Sequence, residues 1–186
     1  MTRIVGGGLG GRRLYTPAGA QTRPTSERVR EALFNTLESL TDLEGCRFAD
    51  LFAGSGAVGL EACSRGAGHV LLVESDPKAA RSARANLTGL AVGDRVRLVN
   101  RPVEPVLAAG PGQPYDIVFA DPPYAYPGPR LAALQRVLVD HGWLAPAAIV
   151  VIERSRRAEP VRWVEPVTGL HARRYGETML WYGRRS

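Results

Sequence analysis

From Arg47 onward, short apolar segments alternate with segments of helical periodicity, and this alternation leaves few folds open to the chain. Strands are predicted at residues 48–52, 70–73, 96–99, 117–120 and 149–152, with two final strands at 161–164 and 178–182. Helices are predicted over 57–65, from Asp76 onward and over 131–139. Repeated strand–helix units predict an α/β fold with a mostly parallel, doubly wound sheet and helices on both faces. Such sheets bind ligands at the carboxyl ends of their strands.

The first 40 residues have a different pattern. Five glycines lie between Gly6 and Gly11 with β-prone residues on either side, which predicts a hairpin or a mobile arm. A helix follows, whose apolar residues recur at helical spacing: Val29, Leu33, Phe34, Leu37 and Leu40. Arg28 and Arg30 fall outside this apolar face, so we expect both to face solvent or phosphate. We therefore divide the chain into an extension, residues 1–40, and a body, residues 41–186, on which it packs.

A glycine-rich turn ends the first strand of the body and begins the next helix. Asp50 to Gly56 leads into Gly59, and Glu74 lies 20 residues after Gly54, a spacing that also fits a dinucleotide site. Glycines let a ligand approach the backbone closely, and the helix N-terminus supplies unpaired N–H groups. Asp50 favours S-adenosylmethionine, because its carboxylate can accept the ammonium of a methionine moiety but would repel a pyrophosphate. Glu74 suits the two ribose hydroxyls of either cofactor.

A second motif, Asp121 to Tyr124, follows the strand at 117–120, about 70 residues after Asp50, and so lies at the same carboxyl edge. The exocyclic amino group of a base is a poor nucleophile because its lone pair is delocalised into the ring. The Asp121 carboxylate and the Pro122 carbonyl can hold the amino hydrogens and localise that pair on nitrogen. The prolines fix the backbone beforehand, and Tyr124 offers a flat surface to the base. This motif predicts methylation of an exocyclic amine.

Net charge is distributed unevenly along the chain. Residues 1–30 carry six arginines and one acidic residue, and residues 154–186 carry eight arginines and three acidic residues. The middle of the chain is mildly acidic. Basic ends are expected where a protein meets a polyanion, so we expect nucleic acid as the partner.

The sequence contains no pattern typical of a metal site or a membrane span. Cys46 and Cys63 lack metal-ligand spacing, and the three histidines are scattered. The longest apolar run, 147–152, is too short to cross a bilayer, and the N-terminal residues lack the apolar stretch of a signal peptide. We therefore expect a cytoplasmic monomer that uses no metal and does not contact a membrane.

Several motifs together are similar to those of one known family. The most specific ones lie in the N-terminal part, at residues 3–7, 11–14, 22–25 and 28–35. Asp50 to Gly56, Asp121 to Tyr124 and Tyr175 to Thr178 follow in the expected order, so the likeness covers nearly the whole chain. The chain thus resembles the RsmD-type methyltransferases of bacterial 16S ribosomal RNA, within the class I S-adenosylmethionine-dependent superfamily.

This resemblance implies a Rossmann-like class I methyltransferase fold with seven strands, one of them antiparallel, plus a small N-terminal hairpin and helix. It also implies methylation of the N2 of one guanine in small-subunit ribosomal RNA or assembling small subunits. The cofactor would be bound by Asp50, Phe52, Gly54, Ser55, Gly56 and Glu74, and the chemistry would be done by Asp121, Pro122 and Tyr124. RNA would be held by Arg3, Arg12, Arg13, Arg23, Arg28 and Arg30.

One position departs from the pattern common in class I enzymes. After the third strand of the body, many of them have an acidic or amide side chain that accepts the adenine amino group. This chain has Asn100-Arg101-Pro102-Val103 there. Because Pro102 cannot serve, we expect Asn100, Arg101 or a backbone group to bind the adenine.

Three other functions share part of this pattern. A DNA adenine-N6 methyltransferase would use the same Asp121 chemistry, but the chain has no insertion long enough for a region that reads DNA grooves. A NAD-dependent oxidoreductase would explain the glycine turn and Glu74 but neither Asp121 nor the basic ends. A non-enzymatic RNA-binding assembly factor would explain the charge and leave the cofactor motif without a role.

Overall fold

The computed structural model describes residues 1–19 and 25–186. A short antiparallel hairpin comes first, formed by β1 (Thr2–Arg3) and β2 (Arg13–Leu14). The strands of the main sheet are β3 (Arg47–Asp50), β4 (His69–Val73), β5 (Val96–Val99), β6 (Tyr115–Ala120), β7 (Leu144–Ser155), β8 (Val167–Tyr175) and β9 (Thr178–Arg185). The helices are α1 (Glu27–Leu40), α2 (Ala57–Ser64), α3 (Pro77–Leu90), α4 (Val103–Ala108) and α5 (Gly128–Asp140).

The seven strands of the main sheet lie in the order β5-β4-β3-β6-β7-β9-β8. All neighbours from β5 to β7 pair in parallel, whereas β9 runs antiparallel to both β7 and β8. The predicted seven-stranded sheet with one antiparallel strand is therefore confirmed. The direction of winding reverses between β3 and β6, and the crevice outside the carboxyl ends of these two strands is the expected ligand site.

The two faces of the sheet pack against different helices. α1 and α2 cover one face, called here the α1–α2 face, and α4 and α5 cover the other. Side chains alternate along a strand. In β7, Ile149 and Val151 therefore join the core under α1 and α2, while Val150 and Ile152 join the core under α4 and α5.

Capping residues define where two of the helices begin. The Ser26 hydroxyl accepts a hydrogen bond from the Val29 N–H, which caps α1. The Asp76 carboxylate accepts from the N–H groups of Lys78 and Ala79, and Pro77 occupies the first turn of α3, as the sequence predicted.

The C-terminal part differs from the sequence prediction in two elements. Residues 161–164 do not form a strand, and β8 lies instead at Val167–Tyr175. β8 is an edge strand whose side chains are mostly exposed or half-buried, so it lacks the apolar pattern on which strand prediction depends. The short helix α4 was also not predicted.

The N-terminal hairpin is packed on the body and is not a mobile arm. Ile4 and Leu14 are completely buried in the core of the α1–α2 face. The side chain of Glu61, which is fully buried in α2, accepts hydrogen bonds from the backbone N–H of Val5 at 2.9 Å and of Gly6 at 2.8 Å. Glu61 thus fixes the hairpin to the body.

The prediction that Arg30 faces solvent or phosphate is wrong. Arg30 is completely buried, and its Nε lies 3.8 Å from Glu61 Oε2. Its guanidinium also donates to the Arg3 carbonyl, to the Thr2 hydroxyl at 3.3 Å and to the Thr25 carbonyl at 3.4 Å. The hairpin covers a side of α1 that the apolar stripe alone would leave open, and Arg30 links the two.

Candidate active site at the carboxyl ends of β3, β4 and β6

The glycine turn between β3 and α2 leaves open space beside its backbone. Gly54 and Gly56 have positive φ angles of 56° and 86°, which glycine adopts without the steric cost of a side chain. A Cβ at Gly56 would lie 2.9 Å from Leu72, whereas nothing lies within 4 Å of the position of a Cβ at Gly54. Ser55 between them is buried, and its carbonyl accepts a hydrogen bond from the Asn86 amide at 3.0 Å. Gly54 therefore borders free space, while Gly56 is needed for packing.

Asp50 ends β3 with a buried carboxylate that is only partly satisfied. Oδ2 accepts a hydrogen bond from the Gly59 N–H at 3.2 Å, and Oδ1 is buried without a partner among the described residues. Burial raises the pKa of Asp50 from 3.8 to about 7; the Gly59 hydrogen bond lowers this pKa and the charge of Glu74 raises it. A ligand cation beside Oδ1 would supply the missing partner. Asp50 therefore fits the ammonium of S-adenosylmethionine.

Glu74 follows β4 and holds the beginning of the glycine turn. Its Oε1 accepts from the Gly54 N–H at 2.7 Å and its Oε2 from the Asp76 N–H at 2.8 Å. Each oxygen retains a lone pair for a ligand hydroxyl. The Asn100 amide donates to the carbonyls of Glu74 at 2.7 Å and Ser75 at 3.2 Å. The Asn100 amide nitrogen is therefore engaged in fixing the backbone at Glu74.

A cavity of about 180 Å³ opens beside Glu74. Its wall includes Phe52, Glu74, Arg101, Pro102, Pro123 and Tyr126. The rings of Phe52 and Tyr126 meet edge to face with centroids 5.6 Å apart. Of the two side chains predicted to bind the adenine, Arg101 lies at this cavity, whereas Asn100 is not part of its wall. An aromatic wall beside a carboxylate suits a nucleoside.

Asp121 follows β6 on the same face of the sheet as Asp50. Phe48 and Phe119, two residues before each aspartate, both belong to the core of the α1–α2 face. Asp121 is half-buried and accepts no hydrogen bond from any residue in the described ranges. Burial raises its pKa, and the charges of Glu153 and Asp50 raise it further. The two predicted acidic residues thus meet at one edge and one face.

The loop after Asp121 is braced from two sides and leaves one aromatic ring exposed. Arg154 donates to the Tyr126 carbonyl at 2.8 Å, and the Tyr126 hydroxyl donates to Glu104 at 3.2 Å. Pro122 is buried, whereas Tyr124 is 78% exposed. An exposed ring on a braced loop is available for stacking.

A third carboxylate, which sequence reasoning did not single out, lies near this edge. Glu153 of β7 is buried, and its Oε2 accepts a hydrogen bond from the Thr25 hydroxyl at 3.0 Å. Burial raises the pKa of Glu153 from 4.5 to about 7, and the Thr25 hydrogen bond lowers it. The available signal was an acidic residue directly after the apolar run 149–152, the same pattern that identified Glu74 and Asp121.

Four of the six arginines predicted to hold RNA are exposed: Arg3, Arg12, Arg13 and Arg28. Arg23 lies outside the described residues. Arg30 is buried between the hairpin and the body, so it is not available to RNA.

The part of the chain that the structure describes contains no group of three or more His, Cys, Asp or Glu side chains placed to hold a metal ion. Within the same residues, no helix has the length and apolar character needed to cross a membrane. Cys46 and Cys63 are both buried with free thiols.

The strand order, the single antiparallel strand β9 and the acidic residues at the carboxyl ends of β3 and β6 define the class: the chain has the fold of the class I methyltransferases. A solved RNA methyltransferase from Salinibacter ruber, in complex with S-adenosyl-L-homocysteine, has this fold. Its TM-score is 0.64 at 16% identity, with 88% of this chain and 94% of that chain covered.

A family model described as "Conserved hypothetical protein 95" matches residues 2–184, and the chain belongs to that family. The "Ribosomal RNA small subunit methyltransferase D" of Escherichia coli K12 is 42% identical over 154 residues, which are 81% of this chain and 73% of that protein. A solved hypothetical protein of Thermus thermophilus has a TM-score of 0.79 at 36% identity, with 98% of each chain covered. The resemblance to the RsmD family is therefore confirmed.

Proposed function

We propose that this protein transfers a methyl group from S-adenosylmethionine to the N2 of a guanine in small-subunit ribosomal RNA. One observation carries the proposal: Asp50, with an unpartnered carboxylate oxygen, and Asp121 lie at the same edge and on the same face of the sheet. A cofactor bound at Asp50 and an amine held at Asp121 would then lie next to each other.

The residues near the glycine turn fit the parts of this cofactor. Asp50 Oδ1 would accept the ammonium of the methionine moiety, and Glu74 would accept the ribose hydroxyls. The cavity beside Arg101 would hold the adenine, and Asn100 would act by positioning Glu74. When bound, S-adenosylmethionine supplies a methyl group on a sulfonium, which needs no further activation.

Asp121 and the Pro122 carbonyl would accept the two N2 hydrogens of guanine and so localise the nitrogen lone pair. Alignment of that nitrogen with the methyl carbon is the main source of catalysis. The nitrogen would gain the methyl group as the sulfonium releases it, and would then lose a proton that has become acidic. Asp121 would accept this proton. Tyr124 would stack on the base, and its exposure in the free protein leaves it available.

The RNA itself would be held by the extension formed by residues 1–40, through the exposed Arg3, Arg12, Arg13 and Arg28. Because Glu61 fixes the hairpin to the body, these arginines would be presented in a constant position. The name of the Escherichia coli relative supports small-subunit ribosomal RNA as the substrate.

Labelled S-adenosylmethionine tests the proposal. The protein is incubated with small subunits that lack the modification, with naked 16S RNA or with duplex DNA, and the labelled nucleoside is identified. We expect N2-methylguanosine from subunits or RNA. Label only in DNA adenine would keep the chemistry and change the substrate, and the absence of label in every acceptor would contradict an enzymatic role.

A further inference from the structure

The position of Glu153 places it beside Asp121. Ala120 pairs with Ile152 in the parallel ladder between β6 and β7. Asp121 and Glu153 each follow these partners by one residue. Val151, two residues before Glu153, belongs to the core of the α1–α2 face, so Glu153 lies on the face already assigned to Asp121.

The contacts of Glu153 leave one oxygen available. Oε2 accepts the Thr25 hydroxyl at 3.0 Å, whereas Oε1 accepts no hydrogen bond from residues 1–19 or 25–186. No arginine or lysine in these ranges forms an ion pair with Glu153 or with Asp121. A buried carboxylate without a cationic partner is costly, and hydrogen-bond donors from a ligand would relieve that cost.

The Watson–Crick edge of guanine has the donors that two neighbouring carboxylates require. N2 carries two hydrogens, and the adjacent N1 carries one. Adenine differs here, because the ring nitrogen N1 next to its amino group is an acceptor and would face a carboxylate lone pair. A carboxylate beside Asp121 therefore distinguishes the two purines by attraction to one and repulsion of the other.

We propose that Glu153 Oε1 accepts the N1–H of the target base and thereby selects guanine. This inference rests on the proposed function, since it assumes that Asp121 holds the amino group of the same base. Thr25, which precedes α1, holds Glu153 through Oε2 and leaves Oε1 without a hydrogen bond from the described residues. The raised pKa values of Asp121 and Glu153 agree with two acidic groups that share one site until donors arrive.

A change of base at the target position tests this role. Small-subunit RNA is prepared by ligation with either guanine or 2,6-diaminopurine at the position mapped with labelled S-adenosylmethionine. Diaminopurine keeps the N2 amino group but has an acceptor at N1. The wild-type protein should prefer guanine by about tenfold to a hundredfold in kcat/KM, the range for one hydrogen bond to a charged group.

Glu153→Gln should reduce that preference to within about threefold, because the glutamine amide can donate a hydrogen bond to the N1 of diaminopurine. Guanine and diaminopurine also differ at position 6. Contacts at that position affect the wild type and Glu153→Gln alike, so they cancel when the base preferences of these two proteins are compared. Glu153→Asp, which keeps an acceptor, should retain the preference at a lower rate. Glu44→Gln, the same change at an exposed residue, should behave as wild type.

The outcomes separate the two proposals. An unchanged guanine preference in Glu153→Gln, with methylation of N2 still measurable, would overturn the role of Glu153 and leave the proposed function intact. Wild-type protein that methylates no guanine N2 would overturn both. Calorimetry with S-adenosylhomocysteine checks that each variant is folded, and affinity within about threefold of wild type is expected, since Glu153 is assigned to the base.

Discussion

Two buried glutamates on the same face of the sheet have opposite surroundings. Glu61, at the junction between the hairpin and α2, accepts two backbone N–H groups at 2.9 and 2.8 Å and pairs with Arg65 at 3.0 Å, with Arg30 nearby. Glu153, at the crevice, accepts a single hydroxyl. Asp50 and Asp121 resemble Glu153, because neither is paired with a cation among the described residues.

This difference separates a structural acid from one kept for a ligand. A fold can bury a carboxylate at low cost when donors surround it, as they do at Glu61. At the crevice three carboxylates have few donors and no cationic partner among the described residues, and their burial raises their pKa values. The proposed ligands, a sulfonium cofactor with an ammonium group and a base with three N–H hydrogens, carry the missing charge and donors.

The largest expected effect is on stability at the junction. Glu61→Gln leaves Arg30 buried without its carboxylate, and the free energy of unfolding should fall by about 3–5 kcal/mol. Denaturant titration at pH 8 measures this change.

Glu153→Gln is the matched substitution at the crevice. The pKa of Glu153 is raised in the folded state, so its contribution to stability is present below pH 4.5 and lost as the pH rises through about 7. Removing the ionisable group should therefore leave stability at pH 8 unchanged or increase it. If Glu61→Gln and Glu153→Gln lower the free energy of unfolding equally at pH 8, the distinction between the two glutamates is contradicted.

The next effect is on catalysis. Asp121→Asn removes one charged acceptor from the amine, which corresponds to about 1.5–3 kcal/mol or roughly a tenfold to hundredfold loss of kcat. Affinity for S-adenosylhomocysteine should change little, since Asp121 is assigned to the base. Asp140→Asn, at the exposed end of α5, is the control. A loss confined to cofactor binding would mean that Asp121 belongs to the cofactor site.

A comparable or smaller effect is expected from the exposed ring. Tyr124→Ala should weaken the reaction with RNA by about 1–3 kcal/mol through the loss of stacking, and Tyr124→Phe should restore most of it. Steady-state kinetics with the same RNA acceptor measures both variants. If Tyr124→Phe is as defective as Tyr124→Ala, the hydroxyl rather than the ring surface is what matters.

The smallest effect concerns the hairpin arginines. Replacing Arg12 and Arg13 by alanine should reduce the slope of log affinity for RNA against log salt by about 0.7–0.9 for each phosphate that is no longer neutralised. Arg136→Ala, exposed on α5 at the other face of the sheet, should leave the slope unchanged. If Arg136→Ala reduces the slope as much per arginine as the hairpin substitutions do, RNA binding depends on the total charge of the protein and not on the hairpin.

Much of the fold could be predicted because each strand from β3 to β7 contains a short apolar run, and glycines and capping residues mark the boundaries of the elements between them. β8 could not, since an edge strand with exposed polar side chains has no apolar periodicity. The apolar residues at 161–164 indicated a strand, but they pair with no neighbour, and Val161 packs instead against the core under α4 and α5.

The acids of the site were predictable where a second signal accompanies them. Asp50 begins the segment that leads into the glycine turn, Glu74 lies 20 residues after Gly54, and Asp121 is followed by two prolines and a tyrosine. Glu153 also directly follows a predicted strand, at 149–152, but it was not singled out because no glycine turn, fixed spacing or proline motif accompanies it. Arg30 was assigned to solvent because helical periodicity describes one packed face of a helix. The hairpin covers a second side of α1, and only tertiary structure reveals that contact.

The pH dependence of cofactor binding tests most directly whether the crevice acids are kept for a ligand. Asp50, with a pKa of about 7, must ionise to receive an ammonium, so affinity for S-adenosylhomocysteine should rise about tenfold per pH unit below pH 7 and level off above it. Methylthioadenosine, which lacks the ammonium, should show no such rise, and Asp50→Asn should remove it for S-adenosylhomocysteine. Equal pH dependence for both ligands would contradict the account.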